Sequence, residues 1–142
     1  MARILIDSGF WLGLYDQHDQ WHSQAKAVAH KLTVHQWLLP WPTLYETLST
    51  RFVKKSHQVE TFMAELNHGN HQKIDDAKYR DAALSQTLFH VRQGRALSLV
   101  DLVLRQMLFD ETLHIKAIVT FNPRDFSDVC HRQGIQFYPE LN

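Results

Sequence analysis

The feature that most constrains this chain is an alternation of short, unbroken apolar runs with longer helical patterns. Each run is rich in β-branched or aromatic residues. The four clearest runs are Ile4–Ile6, Trp37–Leu39, Ala117–Phe121 and Ile135–Tyr138. A continuous apolar run of this size is typical of a strand that is buried on both faces, as in a parallel sheet. A weaker run at Gln72–Asp75 is expected to complete the sheet.

Helical periodicity fills the stretches between these runs. The pattern predicts helices near residues 18–33, 43–55, 57–67, 78–93 and 98–112, and a short helix near 125–133. Strands that alternate with helices indicate βαβ units, and therefore an α/β domain with layers of helices around the sheet. A chain of 142 residues suits one core, so we expect a single domain over residues 1–142.

The charge balance and the apolar stretches limit the classes of function. Lysine plus arginine equals aspartate plus glutamate, at 15 each, so the formal net charge is zero. This balance argues against bulk electrostatic binding to nucleic acid, but a nuclease remains possible because acidic metal ligands would offset basic phosphate contacts. No apolar stretch approaches the roughly 18 residues of a membrane span, and the first run is too short for a signal peptide. We therefore expect a cytoplasmic protein with no membrane partner.

Acidic residues follow two of the predicted strands. Asp7 ends the first apolar run, and Asp125 lies just past the run at Ala117–Phe121. Ligands of α/β sheets bind outside the carboxyl ends of the strands, so both residues are candidates for a functional site. Each also has an ordinary alternative, because aspartate at such a position suits a helix N-cap or an Asx turn.

Two further acids lie near the starts of predicted helices. Glu46 stands three residues after Thr43, which is the capping-box spacing and explains this glutamate adequately by itself. Asp101 stands at the same distance after Ser98, and it could also form an ion pair with Arg105. Apolar residues cover nearly the whole circumference of the Asp101 helix, which indicates a buried helix. A carboxylate in such a helix needs a cation, an arginine or several hydrogen-bond donors.

Together the acids indicate a cation site. Carboxylates that converge on one point repel each other and stay ionised only if a cation neutralises them. Hard oxygen ligands of this kind select Mg²⁺ or Mn²⁺. Zinc is disfavoured, because His18 and His22 share a helix face but lack the further partners that zinc requires. Cys130, the only cysteine, lacks a companion that would make it a nucleophile, and we expect it to be buried.

Four segments carry a resemblance to a known family. They are Ile4–Ser8, Pro42–Leu48, Leu97–Asp101 and Ile118–Phe126. In this order and spacing they resemble the motifs of PIN domains, particularly the VapC-type toxins of bacterial toxin–antitoxin pairs. The resemblance implies a three-layer α/β/α fold with a mostly parallel central sheet, an acidic pocket for Mg²⁺ or Mn²⁺, and endoribonuclease activity on RNA. It also implies a homodimer and a small antitoxin protein as a partner.

Residue by residue, the resemblance implies that Asp7, Glu46 and Asp101 are catalytic residues and metal ligands. The fourth position departs from the commonest pattern, since many members have aspartate where this chain has Asn122. A subset has asparagine there and keeps an aspartate three residues later, which is Asp125 here. We therefore expect Asp125 to be the fourth catalytic and metal-binding residue, and the resemblance leaves open whether one or two ions bind.

Two rival interpretations remain open. The first is a PIN-like module that binds RNA or protein without cleavage, which the zero net charge and Asn122 would permit. The second is an unrelated doubly wound domain such as a phospho-accepting receiver, which would need a lysine where this chain offers Arg124.

Two groups of side chains have uncertain roles at the level of sequence. Arg51, Lys54 and Lys55 share one face of a predicted helix, and they would either contact RNA phosphates or form an ordinary solvated face. The aromatic residues that follow Asp7 at helical spacing are expected in the core or at a dimer contact rather than under a base. They are Phe10, Trp11 and Tyr15.

Overall fold

A five-stranded parallel sheet organises the molecule, as described by a computed structural model that covers residues 1–68 and 70–140. The strands are β1 (Arg3–Ile6), β2 (Gln36–Pro40), β3 (His71–Ile74), β4 (Ile115–Val119) and β5 (Gln136–Tyr138). Their order across the sheet is β3-β2-β1-β4-β5, and each neighbouring pair is parallel. Every apolar run that predicted a strand, including the weak one, overlaps a strand of this sheet. Because all the strands are parallel, their carboxyl ends lie at one edge of the sheet.

Eight α-helices occur within the described residues. They are α1 (Ser8–Tyr15), α2 (His22–Leu32), α3 (Trp41–Thr47), α4 (Thr50–Val53), α5 (Ser56–Leu66), α6 (Arg80–Arg92), α7 (Leu99–Phe109) and α8 (Ser127–Gln133). Two short 3₁₀ turns, Glu111–Leu113 and Pro123–Asp125, flank β4. None of the helices in this part of the chain has the length and hydropathy needed to span a bilayer.

Side chains that alternate along each strand build a core on each face of the sheet. In β1, Ile4 and Ile6 belong to the core that α1 to α5 cover, whereas Leu5 belongs to the core that α6, α7 and α8 cover. Because both faces are buried, successive residues of a strand must all be apolar. This is the physical reason for the unbroken runs in the sequence, and it gives the predicted α/β/α arrangement.

The helices differ from the sequence predictions in three places. The helix predicted near residues 18–33 begins at His22, so His18 and His22 do not share a helix face. One helix was predicted near 43–55, but α3 ends at Thr47 and a separate α4 follows, with the Ser49 hydroxyl accepting a hydrogen bond at the start of α4. Helix α1 was not predicted as a separate element, because its apolar residues show little one-sided periodicity and it contains two glycines. Gly13 is nevertheless suited to its position, since a Cβ there would lie 3.3 Å from the Cβ of Ala25 on α2.

Candidate active site

Asp7 lies at the carboxyl end of β1 and begins α1. Asp7 is the N-cap of α1, and its Oδ1 accepts a hydrogen bond from the Ser8 backbone N–H at 2.8 Å. Its Oδ2 accepts a hydrogen bond from the hydroxyl of Thr120 at 2.9 Å, just past the end of the neighbouring β4. Asp7 is only 6% exposed. Capping therefore accounts for one oxygen of this buried carboxylate, and Thr120 fixes the other.

Burial raises the pKa of Asp7 to about 7. The hydrogen bonds from Thr120 and Ser8 oppose this rise, whereas the charges of Asp101 and Glu46 add to it. At neutral pH and without a cation, a large fraction of Asp7 is therefore protonated. Such a perturbed carboxyl group at a strand end is a mark of functional sites.

Glu46 lies on α3 and faces α1. Its Oε1 accepts a hydrogen bond from the Ser8 hydroxyl at 2.9 Å. The capping-box interpretation of Glu46 is wrong, because α3 begins at Trp41 and the Thr43 hydroxyl donates to the Pro40 carbonyl at 2.7 Å. Burial raises the pKa of Glu46, and the charge of Asp101 adds to the rise while the Ser8 hydrogen bond opposes it.

Asp101 lies in the first turn of α7, where it forms a complete capping box with Ser98. The Ser98 backbone N–H donates to Asp101 Oδ2 at 3.2 Å, and the Asp101 backbone N–H donates to Ser98 Oγ at 3.1 Å. The alternative ion pair with Arg105 does not form, since that guanidinium donates to Asp128 instead. The charge of Asp101 nevertheless raises the pKa of three other carboxyl groups. They are Asp7, Glu46 and Asp125.

Asp125 ends the 3₁₀ turn Pro123–Asp125, between β4 and α8. It is not the N-cap of α8, because Phe126 occupies that position without a side-chain hydrogen bond. Burial raises the pKa of Asp125, as does Asp101, whereas three nearby arginines lower it. Asn122 lies at the start of the same turn, and its backbone N–H donates to Thr120 Oγ1 at 3.0 Å. The turn is thereby joined to the residue that holds Asp7.

The donor atoms at this edge suit a hard cation. Among residues 1–68 and 70–140, no three side chains of His, Cys, Asp or Glu are close enough together to form a ready-made metal cage. Mg²⁺, however, commonly binds through one or two carboxylates and keeps several of its water ligands. Burial is the largest cause of the raised pKa of Asp7 and of Glu46, and the repulsion from Asp101 that adds to it is the kind that a cation relieves. The residues therefore fit a hydrated Mg²⁺ or Mn²⁺ ion.

Basic side chains flank Glu46. Arg51 on α4 and Lys55 before α5 line a cavity of about 300 Å³ that Glu46 also lines. The predicted single helix face is wrong, because these residues belong to separate elements, yet two of the three basic residues still come together. Asp16 and Asp19 line the same cavity, so its charge is mixed.

The other candidate residues have structural roles. The Nδ1 atom of His22 lies 2.8 Å from the Gly13 carbonyl oxygen, within hydrogen-bond distance. Cys130 is buried, and this burial raises the pKa of its thiol to about 12, which makes it a poor nucleophile. Phe10 and Trp11 are fully buried in the core of the first face, as expected.

Thr120 is the residue that the sequence interpretation missed. Its hydroxyl is buried and holds both Asp7 and the Asn122 turn. The available signal was its place in the chain, because β1 and β4 are neighbours and the residues after them must meet at the edge of the sheet. The pairing of these two strands was not deduced from the sequence.

The fold has a counterpart among solved structures. No family model and no curated protein sequence matches the chain. The chain is similar to the crystal structure of VapC20 from Mycobacterium tuberculosis, a toxin that cleaves the sarcin–ricin loop. The TM-score is 0.71 at 20% sequence identity, and the match covers 88% of this chain and 93% of VapC20. At this identity the likeness concerns the fold, and it confirms the predicted three-layer α/β/α architecture.

Proposed function

We propose that this chain, which has a PIN-like fold, is an endoribonuclease that hydrolyses RNA phosphodiesters with Mg²⁺ or Mn²⁺. The observation that carries the proposal is the arrangement of four acids around one edge of the parallel sheet, with the charge of Asp101 reaching the other three. The likeness to a toxin that cleaves the sarcin–ricin loop supports the same class of reaction.

In this proposal Asp7 and Asp101 hold the cation. When bound, the cation would stabilise charge on the phosphoryl oxygens and supply an acidified water. Ser8 and Thr120 fix the two oxygens of Asp7, so this ligand is oriented before any ion arrives. Glu46 is held by the Ser8 hydroxyl, in a position to orient the attacking water or to hold a second ion. Asp125 would contribute to a second ion, directly or through water.

Substrate RNA would be held beside the acids by local basic groups rather than by net charge. Arg51 and Lys55 line the cavity next to Glu46, where they could neutralise a phosphate of the bound strand. We further propose, by the same likeness, that the chain is the toxin of a toxin–antitoxin pair. A small antitoxin protein, a homodimer and a cytoplasmic location belong to that proposal.

The test is digestion of single-stranded RNA with Mn²⁺ or Mg²⁺, with and without EDTA. The substitution Asp101→Asn keeps an acceptor for the Ser98 N–H but removes the charge, so the fold should survive, as circular dichroism would show. We expect cleavage to fall by at least about a hundredfold, since even outer partners of metal sites cost 10–100-fold when they are mutated. The control is Asp81→Asn, on the exposed part of α6.

Two outcomes would contradict the proposal. Cleavage that survives both EDTA and Asp101→Asn would indicate a contaminating nuclease or a different site. RNA binding together with metal binding, but without cleavage by the unmodified chain, would favour the non-catalytic module.

A further inference from the structure

A second cavity lies among helices α6, α7 and α8. Its volume is about 490 Å³, within the range of ligand sites in proteins. Its described wall contains three arginines but one carboxylate. The arginines are Arg95, Arg105 and Arg132, and the carboxylate is that of Asp128. The described wall of this cavity includes none of the four acids proposed for catalysis. The cavity is therefore a positively charged space that the proposed hydrolysis does not itself use.

The single carboxylate is already engaged. Arg105 is buried and donates two hydrogen bonds to Asp128, at 2.7 and 2.9 Å. Arg95 reaches the same carboxylate at a longer 3.3 Å. Arg132 is exposed, and within residues 1–68 and 70–140 its side chain forms no hydrogen bond or ion pair. The charge of Arg132 and part of that of Arg95 are thus available to an anion that enters the cavity.

His90 adds a buried aromatic ring to the wall of the cavity. It lines the cavity, is only 6% exposed, and its Nδ1 has no hydrogen-bond partner in the described part of the chain. Burial lowers the pKa of His90, and the charges of Arg105 and Arg95 lower it further while that of Asp128 raises it, so the neutral ring is favoured. A buried polar atom without a partner costs free energy. Because this nitrogen is itself buried, a ligand in the cavity would contact the ring of His90 rather than its Nδ1.

The remaining wall is suited to a base rather than to an anion alone. Phe89 is 55% exposed and Phe109 is 36% exposed, and both line the cavity. Gln86 and Gln106 add amide donors and acceptors to the same wall. Single-stranded RNA is recognised by this combination, in which unstacked bases lie on aromatic side chains and their edges form hydrogen bonds.

We propose that this cavity binds one nucleotide of single-stranded RNA, with its phosphate on Arg95 and Arg132 and its base against Phe89 and Phe109. The proposal rests on the proposed function, because the bound RNA would be the strand that is cleaved. Arg95 links the two sites, since its Nη2 also contacts the Asp125 carbonyl oxygen at 3.4 Å. A nucleotide seated here would select which phosphodiester reaches the acidic edge.

Binding is measured by fluorescence anisotropy of a short labelled single-stranded RNA in EDTA, where metal-dependent cleavage cannot occur. We expect Arg132→Gln to raise the dissociation constant about tenfold through loss of a phosphate contact. Phe89→Ala should raise the dissociation constant at least about fivefold through loss of stacking. The matched controls are Arg92→Gln and Leu84→Ala, which are exposed on α6 and do not line the cavity. Equal effects in a variant and its control would overturn the proposal.

Two comparisons separate this inference from the proposed function. A nucleoside monophosphate should protect the chain against thermal unfolding at a lower concentration than inorganic phosphate does, and equal protection would reduce the cavity to an anion site and overturn the nucleotide assignment. With Mn²⁺, Arg132→Gln should raise KM while Arg92→Gln leaves it unchanged. Cleavage with the same KM in both variants would keep the proposed function and refute the inference. If Arg132→Gln weakens RNA binding and Arg92→Gln does not, but no RNA is cleaved, the inference is kept and the proposed function is refuted.

Discussion

Asp7 is a residue whose ionised form destabilises the folded state. Burial raises its pKa to about 7, well above the value of about 3.9 for aspartate in an unfolded chain. The native state therefore favours the protonated form, and this stabilisation is complete below about pH 4 and is lost as the pH rises through about 7. In EDTA, we expect the melting temperature to fall over this window in the unmodified chain and to fall much less in Asp7→Asn.

The same residue predicts a metal response. If Asp7 holds the cation, Mn²⁺ should raise the melting temperature of the unmodified chain near pH 8, where the carboxylate is charged, and should raise that of Asp7→Asn less. Asp81→Asn, at an exposed position on α6, should keep the full response. Thermal melts with Mn²⁺ and with EDTA make the comparison, and equal shifts in all three proteins would mean that Asp7 is not a ligand.

Thr120 provides a second test at the scale of the residue. Its hydroxyl donates to Asp7 Oδ2 and accepts from the Asn122 N–H, so valine would leave the buried Asp7 oxygen without this donor and the Asn122 N–H without this acceptor. We expect Thr120→Val to lower the free energy of unfolding by about 1–3 kcal/mol, as measured with a denaturant. The control Thr112→Val removes a hydroxyl that bonds to Asp110 in an exposed turn. A loss no larger than that of the control would contradict the role of Thr120.

Between elements, the pairing of Arg105 with Asp128 joins α7 to α8. Arg105 is buried, whereas half of the Asp128 side chain is exposed. Asp128→Ala would leave a buried guanidinium without its ion pair, which typically costs about 3–5 kcal/mol. Arg105→Met would leave a carboxylate that water can solvate, so the loss should be smaller. In unfolding by denaturant, Asp128→Ala should therefore lower the free energy of unfolding more than Arg105→Met does. The opposite order would refute this account.

The pH dependence of that pair has the opposite sign to that of Asp7. The hydrogen bonds from Arg105 hold the pKa of Asp128 well below its usual range. A carboxylate with a lowered pKa stabilises the fold above its unfolded value of about 3.9 and loses this effect as the pH falls through the folded value. The difference in melting temperature between the unmodified chain and Asp128→Ala should thus be constant near neutrality and narrow only below about pH 4.

Strands could be predicted from this sequence more reliably than helix starts. A strand buried on both faces leaves an unbroken apolar run, as Ile4–Ile6 shows, and a run this short is better explained by a strand than by a helix, which needs about 10–12 residues. Capping spacings are weaker signals. Ser98 and Asp101 form the capping box that their spacing predicts, whereas Thr43 and Glu46 have the same spacing and do not, because α3 already begins at Trp41.

At the scale of the whole molecule, the sheet order explains which parts of the candidate site were accessible to sequence reasoning. Asp7 follows the central strand β1, and Asn122 and Asp125 follow its neighbour β4, so the edge rule places these residues near each other. Asp101 lies in the first turn of a helix that no strand immediately precedes, so the edge rule does not place it, and the family resemblance assigned it to the same site as Asp7. The cavity around His90 arises from the packing of α6 against α7 and α8, which periodicity within one helix does not reveal.

The zero net charge leads to a prediction about RNA binding by the molecule as a whole. With 15 basic and 15 acidic side chains, attraction must come from a few local contacts: Arg51 and Lys55 near Glu46, and Arg95 and Arg132 in the other cavity. Each phosphate contact to a single strand contributes about −0.7 to the slope of log K against log salt concentration, so these four contacts give roughly −3. Arg132→Gln and Lys55→Gln should each reduce the slope by about one contact, and Arg92→Gln should not. Anisotropy titrations between about 50 and 200 mM salt measure the slope. A much steeper slope that none of these substitutions alters would mean that RNA is held by a diffuse surface instead of by the basic residues of these two cavities.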